Sequence, residues 1–181
     1  MPGASPAAAV ESFLRPLREA ISCVGGAHFT LTPGARGAVG DTHMWVLNDD
    51  EPLVVSPKLQ FRACMHFETL DRGASRARER FKVSTRGYMY SVLSPAHEEL
   101  LAAHWHPNGS SPFREPHWHV GSAALSPSGV FLERAHIPSE RITLERIVRM
   151  VIEQFGAEPA CEDWSDRLER TERDFHEHKS W

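Results

Sequence analysis

The chain carries the tripeptide His-Trp-His twice, at residues 104–106 and 117–119. Side chains of a β-strand point alternately to opposite faces, so each tripeptide in a strand places two imidazoles on one face and an indole on the other. The intervening residues 107–112 read Pro-Asn-Gly-Ser-Ser-Pro, a composition typical of turns. The sequence therefore predicts an antiparallel hairpin with four imidazoles on one face, and the length of the loop leaves its register open.

Apolar residues occupy every second position from Leu59 to Phe67, within a segment predicted to form a strand from residue 59 to residue 69. This period of two indicates a strand with one side in the core and the other side polar. Shorter runs of β-branched and aromatic residues predict further strands, one of them broken or bulged at Gly87. These strands are expected at residues 28–32, 43–47, 81–83, 88–93, 99–106, 117–120 and 130–137.

Three segments show the apolar spacing of helices. In the first, apolar residues recur from Val10 to Ile21. Pro16 interrupts this pattern, so the helix is expected either to begin near Arg15 or to be kinked there, and to end at about Val24. The second is predicted to begin after an N-cap at Thr143 and to carry a continuous apolar stripe as far as Phe155. The third follows a proline linker, and its apolar face consists of Trp164, Leu168 and Phe175.

The order of these elements is one helix, five to seven mostly antiparallel strands and two helices. Short connections between consecutive strands favour a meander, and amphipathic helices are expected to cover its apolar face. The predicted class is therefore α+β, with one N-terminal and two C-terminal helices. Residues 10–181 are expected to form a single domain. Residues 1–9, which are mainly small residues and proline, are expected to be a flexible N-terminus.

Charge and cysteine content restrict the classes of function. The chain has 20 Lys and Arg against 24 Asp and Glu, a formal net charge of -4, which argues against wholesale binding to a polyanion. A locally basic stretch at residues 71–86 is interpreted as a solvated turn in preference to a phosphate-binding loop. Cys23, Cys64 and Cys161 lack the spacing of a disulfide framework or a thiolate zinc site. Without a leader pattern or an apolar run of about 20 residues, we expect a cytoplasmic protein that does not associate with membranes.

Five of the 11 histidines fall within the 33 positions from residue 104 to residue 136, and they are the strongest chemical signal in the chain. The working hypothesis is a hydrolase that acts on a phosphate ester such as RNA, without a metal. One imidazole would remove a proton from a hydroxyl while a protonated imidazole assists the leaving oxygen. Arg114, Arg62 or an arginine of residues 72–86 would stabilise charge on the phosphate. The candidate catalytic residues are His104, His106, His117, His119 and Arg114.

The alternative hypothesis is a metal-binding protein or metalloenzyme. Neutral imidazole is the commonest side-chain ligand of transition metals, and the two His-x-His patterns place ring nitrogens on the same side of a strand. Three or four imidazoles would hold one divalent ion such as zinc. The candidate ligands are His104, His106, His117, His119 and His136.

A third hypothesis is a non-catalytic subunit that binds a partner protein. Histidine and tryptophan commonly occur on amphipathic strands as packed residues. Trp105 and Trp118 are expected in the core in preference to a platform for stacking bases. In this interpretation the tryptophans and the apolar stripe of the second helix serve packing or an interface.

Residues 115–120 (Glu-Pro-His-Trp-His-Val), 136–145 (His-Ile-Pro-Ser-Glu-Arg-Ile-Thr-Leu-Glu) and 153–156 (Glu-Gln-Phe-Gly) resemble an uncharacterised group of bacterial proteins. These proteins pair a strand rich in proline and histidine with a strand ending in histidine, an apolar residue and proline, followed by a closing helix. The resemblance covers the C-terminal half and implies a bacterial source and a small α+β domain, with no activity to carry over. A looser similarity in pattern links the chain to toxins of toxin and antitoxin pairs, although it is longer and less basic than those toxins usually are.

Overall fold

The computed structural model describes residues 2–73, 78–108, 112–125 and 135–178. These ranges contain three α-helices and one sheet of nine strands, which confirms the predicted α+β class. The helices are α1 (Pro6–Ile21), α2 (Leu144–Glu153) and α3 (Trp164–Glu177). The strands are β1 (Pro2–Gly3), β2 (Phe29–Leu31), β3 (Thr42–Leu47), β4 (Leu53–Ser56), β5 (Leu59–Asp71), β6 (Phe81–Leu93), β7 (Glu99–Trp105), β8 (His117–Val120) and β9 (Ile137–Pro138).

The sheet is an antiparallel meander in the order β2-β3-β5-β6-β7-β8-β9. β3 and β4 share one edge of β5, and β1 pairs with the start of β6. Seven strands have three or more residues, while β1 and β9 have two each. Of the strand predicted at residues 130–137, residues 130–134 lie outside the described ranges, and its last residue begins β9.

The helices cover one face of the sheet, as the sequence predicts. α1 packs against β5 and β6, and α2 packs against β6. The ring of Phe13 in α1 lies 5.7 Å from the ring of Phe67 in β5, and both side chains are buried. The predicted apolar stripe of α2 is buried in the same core. None of the helices in the described ranges is both long enough and apolar enough to cross a membrane.

The prediction of a flexible segment up to residue 9 is wrong for residues 2–9, which contain β1 and the start of α1. Pro2–Gly3 pair with β6, and α1 begins at Pro6, before the apolar pattern starts at Val10, and continues past Pro16 to Ile21. Ser5 caps the helix by accepting a hydrogen bond from the Ala8 amide at 3.2 Å, and proline is well tolerated at the first helical position. A Cβ atom at Gly3 would overlap the backbone of Ala9. The small residues of this segment therefore allow the helix to lie close to the strand.

The predicted irregularity at Gly87 is a bulge within the continuous strand β6. His66 pairs with Gly87 and Phe67 with Thr85, so Arg86 is the extra residue. A Cβ atom at Gly87 would lie 2.7 Å from the carbonyl oxygen of Trp105. The absence of a side chain at this glycine lets the end of β7, which carries the first His-Trp-His, lie against β6.

Candidate functional site

Strands β7 and β8 form the predicted antiparallel hairpin. His104 lies opposite His117, and Ala102 lies opposite His119. Trp105 is buried in the core, and Trp118 packs against the core from a partly buried position, which confirms the prediction for both indoles. Because side chains alternate along a strand, the histidines lie on the sheet face opposite the helices.

All five predicted ligands come together in one group, here called the histidine cluster: His104, His106, His117, His119 and His136. His136 joins the group because β9, which begins at the next residue, pairs with β8. The ring centroid of His136 lies 4.3 Å from that of His119 and 4.9 Å from that of His117. His104 lies 4.8 Å from His119, and His106 lies 5.3 Å from His117. The sheet register thus brings residues from β7, β8 and the approach to β9 to one place.

The histidine cluster contains two groups of three imidazoles that could hold a metal ion. One consists of His104, His106 and His117, and the other consists of His117, His119 and His136. Within each group the ligand nitrogens lie within 4.8 Å of one another. Zinc bonds of about 2.1 Å place tetrahedral ligand atoms about 3.4 Å apart. Small side-chain rotations would therefore bring the three nitrogens of either group to the distances that a zinc ion requires. Both groups use His117, which makes it the central residue of the cluster.

The ring of His117 is held in one tautomer by its backbone surroundings. Its Nδ1 atom lies 2.7 Å from the carbonyl oxygen of Glu115. A carbonyl can only accept, so Nδ1 carries the proton and Nε2 carries the free lone pair. This Nε2 is buried and has no hydrogen-bond partner within the described ranges, and the same holds for Nε2 of His104. A buried polar atom without a partner costs about 1–3 kcal/mol, which a ligand at this position would offset.

Burial and mutual repulsion keep several of these imidazoles neutral. Burial, followed by repulsion from the neighbouring imidazoles, lowers the pKa of His104 and of His119 to about 4. Burial also lowers the pKa of His117, against the opposing effect of its hydrogen bond to Glu115. These three rings therefore present lone pairs at neutral pH without first losing a proton.

Arg114, the predicted cation, lies beside the cluster in the loop that leads into β8. It is exposed and lines a cavity of about 280 Å³ together with His117 and His136. Phe113, which is not predicted from the sequence, lines the same cavity and stacks on His136 with ring centroids 3.8 Å apart. A single aromatic residue in a proline-rich loop has no periodicity, and so no sequence signal could have identified it.

Among the described residues, those of the locally basic stretch belong neither to the histidine cluster nor to the lining of this cavity. Arg80 forms an ion pair with Asp71 at 2.7 Å, and Arg86 forms one with Glu68 at the same distance. Arg62 on β5, considered as another phosphate-binding cation, lies 3.6 Å from Asp50. Residues 74–77 of the basic stretch lie outside the described ranges. Arg80, Arg86 and Arg62 thus each lie beside a carboxylate, which agrees with the interpretation of this stretch as solvated structure.

Two further titratable side chains, Cys64 and His66, lie on the polar face of β5. Cys64 is buried, and burial raises the pKa of its thiol to about 11, which opposes a role as a nucleophile. His66 is exposed on the same strand and belongs to neither three-histidine group. The described cysteines are free, as expected from their spacing.

Comparison of the chain with protein-family models, curated proteins and solved structures found no match. The resemblance of the C-terminal half to a group of bacterial proteins stays a prediction. Function is therefore argued from the histidine cluster itself.

Proposed function

We propose that this protein binds a divalent transition-metal ion through the histidine cluster. The observation that carries the proposal is the state of His117, which is 3% exposed and common to both three-histidine groups. Its Nδ1 is bound to a backbone carbonyl while its buried Nε2 has no partner in the described part of the chain. Metal-binding histidines characteristically donate their other ring N–H to a carbonyl or carboxylate, which fixes the ring and the tautomer.

The donor set favours zinc or a neighbouring transition metal. Both groups offer imidazole nitrogen alone, with no carboxylate or thiolate among their three ligands. Imidazole suits zinc, copper, nickel and iron, whereas magnesium and calcium prefer oxygen. Three protein ligands leave one position of a tetrahedral ion for water or substrate, an arrangement typical of catalytic zinc.

The lowered pKa values support a metal over metal-free acid and base catalysis. A general acid must carry its proton near the working pH. The pKa of His104 and of His119 is about 4, and that of His117 is also below its usual value. These rings are poor proton donors at neutral pH but are ready metal ligands.

Hydrolysis of a phosphate ester is the second candidate function, now with the metal as its electrophile. A bound zinc ion lowers the pKa of its water ligand to about 7 and so supplies a nucleophile at neutral pH. Arg114 shares a cavity with His117 and His136, which supports a role in neutralising a phosphate. RNA stays one proposed substrate. Cleavage of RNA by the zinc-loaded wild type but not by His117→Ala would support this function, and equal cleavage by both would remove it.

A role as a non-catalytic subunit receives less support. Large exposed apolar side chains in the described ranges are limited to Val39, Val54, Phe113 and Ile137. The apolar stripe of α2 is buried in the core and is not free to form an interface. A partner protein is therefore not required to explain these side chains.

Elemental analysis and metal titration of protein purified without an affinity tag test the metal proposal. We expect stoichiometric zinc or another transition metal, and a loss of affinity of at least about 100-fold in His117→Ala. His66→Ala is the matched control, since His66 is exposed and outside both groups. Absence of bound metal together with no affinity on titration would refute the proposal.

A further inference from the structure

A cavity distinguishes the two three-histidine groups. Because both groups use Nε2 of His117, one ion occupies one group at a time. The residues that line the cavity of about 280 Å³ include His117 and His136, two members of the second group, but not His104, His106 or His119. An ion held by His117, His119 and His136 would therefore have two of its three ligands beside this open space, whereas an ion held by His104, His106 and His117 would have one.

Part of the wall of this cavity is flat and apolar. Phe113 and His136 stack with an angle of 11° between their rings, and Phe113 is 48% exposed. Pro116 and Pro138 line the same space, and proline restricts the backbone at these positions. At about 280 Å³ the cavity is at the small end of ligand pockets, which are roughly 300–1,000 Å³. These dimensions suit one planar ring with a small head group.

The charge of the cavity favours an anion. Arg114 is exposed and lies among the lining residues, and no ion pair joins it to a carboxylate in the described ranges. Among the described lining residues, Glu115 carries the one carboxylate, and its backbone carbonyl is already bound to His117. A guanidinium and a divalent ion together outweigh this single negative charge. Guanidinium binds carboxylate and phosphate groups with two parallel hydrogen bonds.

We propose that the metal ion lies in the group formed by His117, His119 and His136, and that the cavity binds a small organic anion. The carboxylate or phosphate head of this anion contacts the ion and Arg114, while its flat apolar body packs against Phe113. This inference rests on the proposed metal site and adds the chemical class of its ligand.

The test uses the full chain saturated with Co²⁺, whose visible absorption reports the coordination of the ion. Benzoate and phenyl phosphate are the probes, and benzyl alcohol is the neutral control of similar shape. We expect both anions to change the Co²⁺ spectrum in a saturable way and benzyl alcohol to leave it unchanged. A response to only one of the two anions identifies which head group the cavity prefers.

Amino-acid substitutions test which residues bind the anion and which bind the metal ion. At saturating Co²⁺, Arg114→Gln is expected to weaken benzoate binding at least about tenfold, the effect of losing a charged hydrogen-bond pair. Arg15→Gln is the matched control, since Arg15 is exposed on α1, on the helix-covered face of the sheet. His136→Ala is expected to lose more Co²⁺ affinity than His106→Ala, because only His136 belongs to the chosen group.

The outcomes separate the two proposals. Co²⁺ binding without any response to the anions, or an equal response to benzyl alcohol, overturns the anion site and leaves the metal site intact. A larger loss of Co²⁺ affinity in His106→Ala than in His136→Ala overturns the choice of group. Failure to bind Co²⁺ or Zn²⁺ at all refutes both proposals.

Discussion

The Nδ1 atom of His117 donates a hydrogen bond of 2.7 Å to the carbonyl oxygen of Glu115, two residues earlier in the chain. The loop that enters β8 therefore also orients the first ring of that strand. This contact uses one ring nitrogen for orientation and leaves the other for a ligand. Orientation and ligation can thus be altered separately at a single residue.

Replacement of His117 by asparagine separates these two roles. The asparagine amide can donate to the Glu115 carbonyl in place of Nδ1 but has no atom at the position of Nε2. We expect His117→Asn to fold with a stability close to that of the wild type and to lose zinc affinity by at least about 100-fold. Calorimetric zinc titration and thermal unfolding measure both effects. Unchanged zinc affinity in this variant would exclude His117 as a ligand.

Metal binding is expected to stabilise the fold. A ligand at 100 times its Kd stabilises the native state by about 2.7 kcal/mol, which corresponds to an increase in Tm of about 5 to 10 °C for a chain of this size. Thermal unfolding with and without Zn²⁺ measures this increase, which chelation should reverse. Mg²⁺ at the same concentration is the control, because it prefers oxygen ligands. An equal effect of both ions would indicate nonspecific binding.

The metal-free protein is expected to lose stability in acid. His104 and His119 titrate near pH 4 in the folded state and near the ordinary value of 6.5 when unfolded. Between these values the unfolded chain binds more protons, so stability falls as pH falls from about 6.5 to about 4 and then levels off. His104→Gln should show a shallower decline over the same range. Unfolding in urea at several pH values measures the free energy of unfolding in both proteins. If it falls equally steeply with pH in His104→Gln and in the wild type, His104 is not responsible for the decline.

Glu145 is expected to give a pH dependence of the opposite sign. It is 1% exposed in the first turn of α2, and burial raises the pKa of its carboxyl to about 8 from the ordinary 4.5. The folded state keeps the proton that the unfolded state loses, so this contribution to stability declines as pH rises from about 4.5 to about 8. Glu145→Gln, which cannot ionise, should raise Tm by several degrees at pH 8 and have little effect at pH 5. If Glu145→Gln instead lowers Tm by a similar amount at pH 5 and at pH 8, the carboxyl has a structural role that does not depend on its ionisation.

The bulge at Gly87 is expected to link the fold to the site. A methyl group there would press on the carbonyl oxygen of Trp105 and displace the end of β7. We expect Gly87→Ala to cost about 1–3 kcal/mol of stability and to weaken zinc binding, because β7 carries His104. Gly26→Ala is the control, since nothing lies within 4 Å of a Cβ atom at that position. If Gly87→Ala is as stable as Gly26→Ala, the fold does not need a glycine beside the carbonyl oxygen of Trp105.

Much of the site could be predicted from the sequence because strand alternation is a local property. The His-Trp-His pattern alone places imidazoles and indoles on opposite faces, and the structure has this arrangement. The pairing of His104 with His117 could not be predicted, since the long loop between the strands leaves the register open. His136 lies close to His117 and His119, but its position depends on the pairing of β9 with β8, which no local pattern specifies.

The features missed from sequence all depend on tertiary contacts. The N-terminal residues resemble a frayed segment by composition, yet their small size is what lets α1 pack close to β1. Glu145 has the expected position in a first helical turn, but its burial follows from the packing of α2 into the core. The cavity beside the cluster is formed by loop residues such as Phe113, whose contacts have no period.

X-ray absorption at the zinc edge of protein loaded with one equivalent of Zn²⁺ tests the central claim most directly. The histidine cluster predicts a first shell of nitrogen and oxygen at about 2.0–2.1 Å, with the outer-shell scattering of three imidazole rings. A first shell containing sulfur at about 2.3 Å, or a spectrum without imidazole scattering, would contradict the assignment of the metal to these histidines.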